Sequence, residues 1–195
     1  MAPPSIREEI VACHACRLRA GCRSPLPLRG GRKRPFLVVA PYPTKADVAA
    51  GRGFAGPSAQ FLLRQFEAIG VLSSDLTLAY AVCCPPGGRD PSTDEIYACR
   101  GNLMRQIRLA QPERILALGP LPSWTFGRQQ SFTSSTRHRW YRLIWLAEPI
   151  PVFAVDDPRV VLQRIKHHPD KHADFLQAYR RRLIEFVEHN AREEW

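Results

Sequence analysis

Six cysteines in a chain of 195 residues constrain this sequence more than any other feature. Cys13 and Cys16 form a C-x2-C pair, Cys83 lies far downstream, and Cys99 follows it within a helical stretch. A close pair and two distant single ligands reach one metal centre only if the fold gathers them. Four such thiolates suit either a [4Fe-4S] cluster or a tetrahedral zinc, and spacing alone does not choose between them. The start of the chain, MAPPSIREEIVACHAC, lacks the apolar core of a signal peptide, and no apolar run approaches the roughly 18 residues of a membrane span. The expectation is a soluble, cytoplasmic protein with no membrane partner. In that reducing compartment the cysteines argue for metal ligation sooner than for disulfides.

The length suits a single domain over residues 1–195, with small extensions at either end. The net charge of +10 is uneven. Residues 1–34 carry Arg7, Arg17, Arg19, Arg23, Arg29, Arg32, Lys33 and Arg34 against only Glu8 and Glu9. Such a surface attracts phosphate polyanions through counterion release, which makes DNA, double- or single-stranded, the leading partner. A merely solvated basic face is the plainer alternative.

Four apolar runs, Phe36 to Ala40, Leu76 to Val82, Ile115 to Gly119 and Pro151 to Val155, read as short buried strands. Helical patterns lie between and after them. Ser58 to Ile69 follows Pro57 as a first-turn proline, and Ser92 or Thr93 caps Asp94 to Ala110. Pro169 to Ala191 reads as an amphipathic C-terminal helix with an arginine-rich outer side. The polar, aromatic stretch Gly127 to Arg142 fits no period and reads as an exposed loop or loose hairpin. Alternating strands and helices predict an α/β fold, a mostly parallel four-stranded sheet in a three-layer α/β/α arrangement, with ligands at the carboxyl ends of the strands.

The segment CCPPGGRDPSTDEIYAC, from Cys83 to Cys99, closely resembles the C-x-PPG-x-RDP…EI…C stretch of the iron-sulfur, family-four uracil-DNA glycosylases. The likeness runs along most of the chain. CHACRLRAGC resembles the family's opening C-x2-C segment, GRGFAGPSAQFLL (Gly51 to Leu63) its glycine-rich G-R-P-F-V-G-x-A-G-Q-L-L stretch, and PERILALG (Pro112 to Gly119) its third strand. The resemblance, not the spacing, implies that Cys13, Cys16, Cys83 and Cys99 hold a [4Fe-4S] cluster, with zinc the alternative. Cys22 and Cys84 stand outside the pattern. It also implies that Phe54 stacks on a base turned out of the duplex, a role that suits enzymes acting on bases. Tyr42, Gly56, Gln60, Arg89 and Arg159 are the accompanying candidates for base or DNA contact.

The chain departs from the family at the residues that carry its chemistry. In an ungapped register Ala40 to Thr44 lie over the motif G-E-A-P-G, so Pro41 replaces its glutamate. In a register shifted by two, Pro41 and Tyr42 resemble the Pro-Tyr of iron-free uracil glycosylases, without their aspartate. Asp47 falls on the motif's second acidic position, either to orient water or to cap a helix or turn. The asparagine that reads the uracil edge is expected at Ala79, which can neither donate nor accept the paired hydrogen bonds. Asp157 stands for the histidine that stabilises the departing base, followed by Pro158 and Arg159. An anion there opposes an anionic leaving group, and losing one such stabilising group typically costs about 10²- to 10³-fold.

Three functions follow from this. The first is a DNA-binding iron-sulfur protein with little or no ordinary uracil excision. The second is a DNA glycosylase of altered base specificity in which Asp47, Asp156 or Asp157 activates water. The third is a non-catalytic subunit of a larger complex, contacting a partner protein through the C-terminal helix and the region of Trp140.

Overall fold

A computed structural model of the chain describes residues 4–126, 138–143 and 149–189. Five strands form one sheet: β1 (Phe36–Ala40), β2 (Leu76–Tyr80), β3 (Arg114–Leu118), β4 (Trp140–Leu143) and β5 (Ile150–Val155). Their order is β2-β1-β3-β5-β4, and every pairing is parallel except β4 with β5.

The expected four strands are all present, and β4 is the addition. It comes from the stretch read as a loop or hairpin, of which residues 127–137 lie outside the described residues. Its tryptophan is half-buried. Trp140 packs on Phe153 at a centroid distance of 4.8 Å and on His189 at 3.8 Å, at the margin of the core.

Side chains alternate across the sheet, which fixes the two outer layers. Phe36, Val38, Leu76, Leu78, Tyr80, Leu116, Leu118, Phe153 and Val155 face one side. There they meet α3 (Pro57–Glu67), α6 (Pro158–His167) and α7 (His172–Glu188) through Phe61, Leu62, Phe66, Val161, Leu183 and Phe186. Leu37, Val39, Ala79, Ala81, Ile115, Ala117 and Val152 face the other. They meet Leu103, Met104 and Ile107 of α4 (Thr93–Ala110) and Phe126 of α5 (Pro120–Phe126).

Local chemistry sets the helix limits. Three capping boxes start helices: Ser5 with Glu8 in α1 (Ile6–Val11), Thr44 with Asp47 in α2 (Lys45–Ala50), and Ser92 with Glu95 in α4. Proline at the first helical position opens α3 and α6. The C-terminal helix begins later than its pattern, because Pro169–Lys171 form a separate 3-10 turn. Its last carbonyls are satisfied from outside: Arg114 Nη1 donates to Phe186 O, Val187 O and His189 O. Among the described residues, no helix is long and apolar enough to cross a membrane.

Candidate functional site

Two neighbouring sites sit at the carboxyl edge of the sheet, one lined by cysteines and one by polar and aromatic side chains. The N-terminal segment builds the first by wrapping around β2 and α4. Leu26 N donates to Cys83 O (2.8 Å), Arg29 and Leu78 exchange backbone hydrogen bonds, and Arg105 of α4 pairs with Glu9 of α1. Cys13 follows α1, Cys16 opens the 3-10 turn Arg17–Gly21, Cys83 lies just beyond β2, and Cys99 is on the buried side of α4.

All four line one cavity, beside Ile10, Val82 and Asn102. Three of the four sulfurs accept N–H donors: Asn102 Nδ2 reaches Cys13 Sγ (3.5 Å), Gln106 Nε2 reaches Cys83 Sγ (3.8 Å), and Cys83 N reaches Cys99 Sγ (3.3 Å). The Cys83 thiol donates to Cys99, which pushes Cys83 upward with burial and holds Cys99 below its ordinary value. Burial pushes Cys16 up. Among the described residues, no three His, Cys, Asp or Glu side chains are grouped closely enough to hold a single metal ion. Four thiols thus line one cavity, and three of their sulfurs accept N–H donors, the kind of hydrogen bonding that tunes thiolate ligands. Cys22 and Cys84 are buried beside them and touch each other, burial pushing Cys84 up.

The second site lies where β1, β2, β3 and β5 end. Asp47 organises its floor. Its carboxylate accepts from Thr44 N and Oγ1 (both 2.7 Å), Ala55 N (2.7 Å) and Gly56 N (3.3 Å), and Tyr80 bonds to it as well. Burial pushes this carboxyl up, but the hydrogen bonds outweigh burial and hold it below the usual range. Asp47 is therefore the N3 partner of the Thr44 N-cap in the α2 capping box and the anchor of the Ala55–Gly56 loop.

Phe54 sits in the left-handed region (φ 58°) and is buried, not offered to solvent. Tyr80 stacks on it, with centroids 4.9 Å apart and planes at 25°. The Tyr80 hydroxyl accepts from Phe54 N (2.8 Å). Burial, with Asp47 alongside, pushes that hydroxyl far up, so it remains a proton donor to the carboxylate. Ala79, the expected position of a base-reading amide, faces α4 on the opposite side of the sheet. The residue pointing into the pocket is its neighbour Tyr80. Strand alternation alone carries that signal, since Leu76, Leu78 and Tyr80 share one face.

Asp157 caps α6 and is held by Arg159 in a two-pronged ion pair, Nε to Oδ1 at 2.9 Å and Nη2 to Oδ2 at 2.8 Å. The Arg159 guanidinium lies 5.1 Å from the Tyr42 ring centre, and Tyr42 Oη donates to Asp90 Oδ1 (3.2 Å). This chain of contacts joins three loops. It divides an inner cavity of about 30 Å³, bounded by Asp47, Phe54 and Tyr80, from an outer cleft of about 320 Å³ reaching Pro120 and Gln163. The inner space takes about two water molecules.

The remaining candidates lie outside the inner pocket. Gln60 is exposed and donates to Ala55 O (3.1 Å). Arg89 is exposed and pairs with Glu95 (2.6 Å), closing the turn into α4. Gly56 is buried, with Thr44 Oγ1 only 3.1 Å from where a Cβ would stand. Asp156 pairs with Arg164 at 2.9 Å.

A mostly parallel sheet covered on both faces, with a polar pocket at its carboxyl edge and a cysteine-lined cavity beside it, defines an α/β protein of the class that holds ligands at its strand ends. The chain belongs to the uracil DNA glycosylase superfamily, whose sequence profile matches residues 30–183. Among curated proteins it is similar to the type-4 uracil-DNA glycosylase of Pyrobaculum aerophilum, 33% identical over 58% of this chain and 59% of that one. It is likewise similar to the type-4 enzyme of Sulfurisphaera tokodaii, 31% identical over 72% of this chain and 66% of that one. With that of Archaeoglobus fulgidus the likeness is 25% over 87% and 88%. The chain thus spans somewhat under two thirds of the first two relatives it matches.

Proposed function

We propose that this protein is a cytoplasmic, DNA-binding, iron-sulfur member of the superfamily that does not excise uracil by the usual chemistry. The observation that carries the reading is the Asp157–Arg159 ion pair at the α6 N-terminus. It sets a carboxylate where the family resemblance implies a histidine, and it commits the nearest guanidinium to that carboxylate. A leaving base that gathers negative charge meets a carboxylate there, with Arg159 already paired to it.

The alternative of a glycosylase with changed specificity needs a carboxylate free to activate water. Asp47 is held below the usual range by the hydrogen bonds of its cap, Asp157 by geometry belongs to Arg159, and Asp156 is paired with Arg164. Each is engaged structurally, which favours the binding function over hydrolysis.

Cys13, Cys16, Cys83 and Cys99 would hold the [4Fe-4S] cluster, with Asn102, Gln106 and the Cys83 amide as hydrogen-bond donors to the sulfurs. The cluster would supply a rigid tie between the N-terminal segment, the β2 exit and α4.

Several arginines of the basic N-terminal segment serve the fold. Arg19 donates to Cys22 O, Arg29 to Gly53 O, and Arg34 to Ser73 O and Leu76 O. Arg17 and Arg23 remain exposed beside the cysteine cavity and are the better candidates for phosphate contact. The test is the affinity for duplex and single-stranded DNA as a function of salt. Binding that weakens steeply with salt is expected; no binding, or a flat response, contradicts the proposal.

A further inference from the structure

The aromatic pair at the floor of the pocket carries an inference that rests on this reading and deepens it. Phe54 is the residue that the resemblance assigns to stacking on an extrahelical base. In this chain one ring already lies on it, that of Tyr80, 4.9 Å away and nearly parallel.

The contact is built in on three sides. The hydroxyl of Tyr80 accepts from Phe54 N and bonds to the Asp47 carboxylate, so one phenol satisfies a backbone donor and a buried acceptor together. A planar base edge would address the same donor and acceptor. Gly53 supplies the third side: a Cβ there would stand 2.9 Å from Tyr80 Cε2, so the loop has room for the ring only because residue 53 is glycine. Tyr80 is 3% exposed, and the space left around the pair, about 30 Å³, is too small for a ring.

We infer that Tyr80 is an internal occupant of the base subsite, a specificity-determining side chain that keeps every nucleobase out of the inner pocket. Removing the phenol leaves a ring-sized cavity walled by Phe54, with the Phe54 amide unpaired and one hydrogen bond to Asp47 lost. Cavities cut in this way bind small rings.

The experiment uses the full chain, Tyr80→Ala and Tyr80→Phe, with phenol and 5-fluorouracil as free probes, followed by thermal unfolding and by 19F NMR. The native chain and Tyr80→Phe are expected to leave the 5-fluorouracil signal unchanged. Tyr80→Ala is expected to bind 5-fluorouracil roughly tenfold or more tighter than the native chain and to be raised in melting temperature by phenol. Saturable binding of 5-fluorouracil to the native chain overturns the inference. So does a folded Tyr80→Ala that binds neither probe. Should Tyr80→Ala not fold, the native-chain measurement still decides, and Tyr80→Leu takes the place of the alanine variant. No arm contains DNA, so a failure to bind DNA would strike the proposed function and leave this result standing.

Discussion

Asp47 concentrates more of the pocket's order than any other side chain. It completes the α2 capping box, pins the loop at Ala55 and Gly56, and holds Tyr80. Replacing it with alanine removes a cap and leaves several buried donors unanswered. Asp47→Ala is expected to destabilise the protein by about 2–3 kcal/mol in urea unfolding. A loss within a few tenths of a kcal/mol would show that the loop closes without it. The sequence pointed to Asp47 through its place in the motif but left its role open between water and cap. What decides is the backbone of Ala55 and Gly56, which folds back onto the carboxylate and has no signature in residue type. Tyr80 was harder to see. Counting from Cys83 led to Ala79, and a one-residue difference along a strand exchanges the two faces of the sheet. The cysteines were legible because their pattern stands in the linear sequence, whereas a stacking partner exists only after β2 and the Phe54 loop meet.

At the scale of elements, α4 links the two sites, since it begins beside the pocket loops and carries Cys99. Glu95 secures its first turn: hydrogen bonding from Arg89 chiefly, and from Ser92, outweighs its desolvation and holds its carboxyl down to about 2 against an ordinary 4.5. A lowered carboxyl contributes stability that is present above the ordinary value and lost as pH falls toward the folded one. Stability is therefore expected to drop between about 4.5 and about 2, and Glu95→Gln to flatten that part of the profile. An unchanged slope in the variant would assign the acid sensitivity elsewhere. The helices α3 and α4 were readable from proline and serine at their starts, and the four parallel strands from uninterrupted apolar runs. The antiparallel β4 was not. Its residues Trp140 to Leu143 alternate too briefly, and the strand exists because the β5 edge is there to pair with it. The end of α7 was equally invisible, because its terminal carbonyls are answered by Arg114 from a distant strand.

For the whole molecule, the cysteine cavity is the joint between the N-terminal segment and the sheet. Freshly purified protein is expected to be brown with broad visible absorption, to contain iron and little zinc, and to lose colour in Cys99→Ala. Stoichiometric zinc in a colourless protein would assign the four thiols to the other metal. Affinity for duplex DNA is expected to fall roughly 10³-fold between about 50 and 200 mM salt if about six phosphates are contacted. The superfamily was legible over most of the chain because its motifs fall at strand ends and loops. The closure of the pocket was only half legible, as missing groups; the side chains that fill their place had to be seen in space. The most direct test of that closure is a single-turnover assay with protein in excess over uracil-containing single-stranded and duplex DNA, at concentrations where binding is saturated. Bound DNA without abasic sites is the predicted result. Abasic sites formed by the native chain and abolished by Asp47→Ala or Asp157→Ala would contradict it.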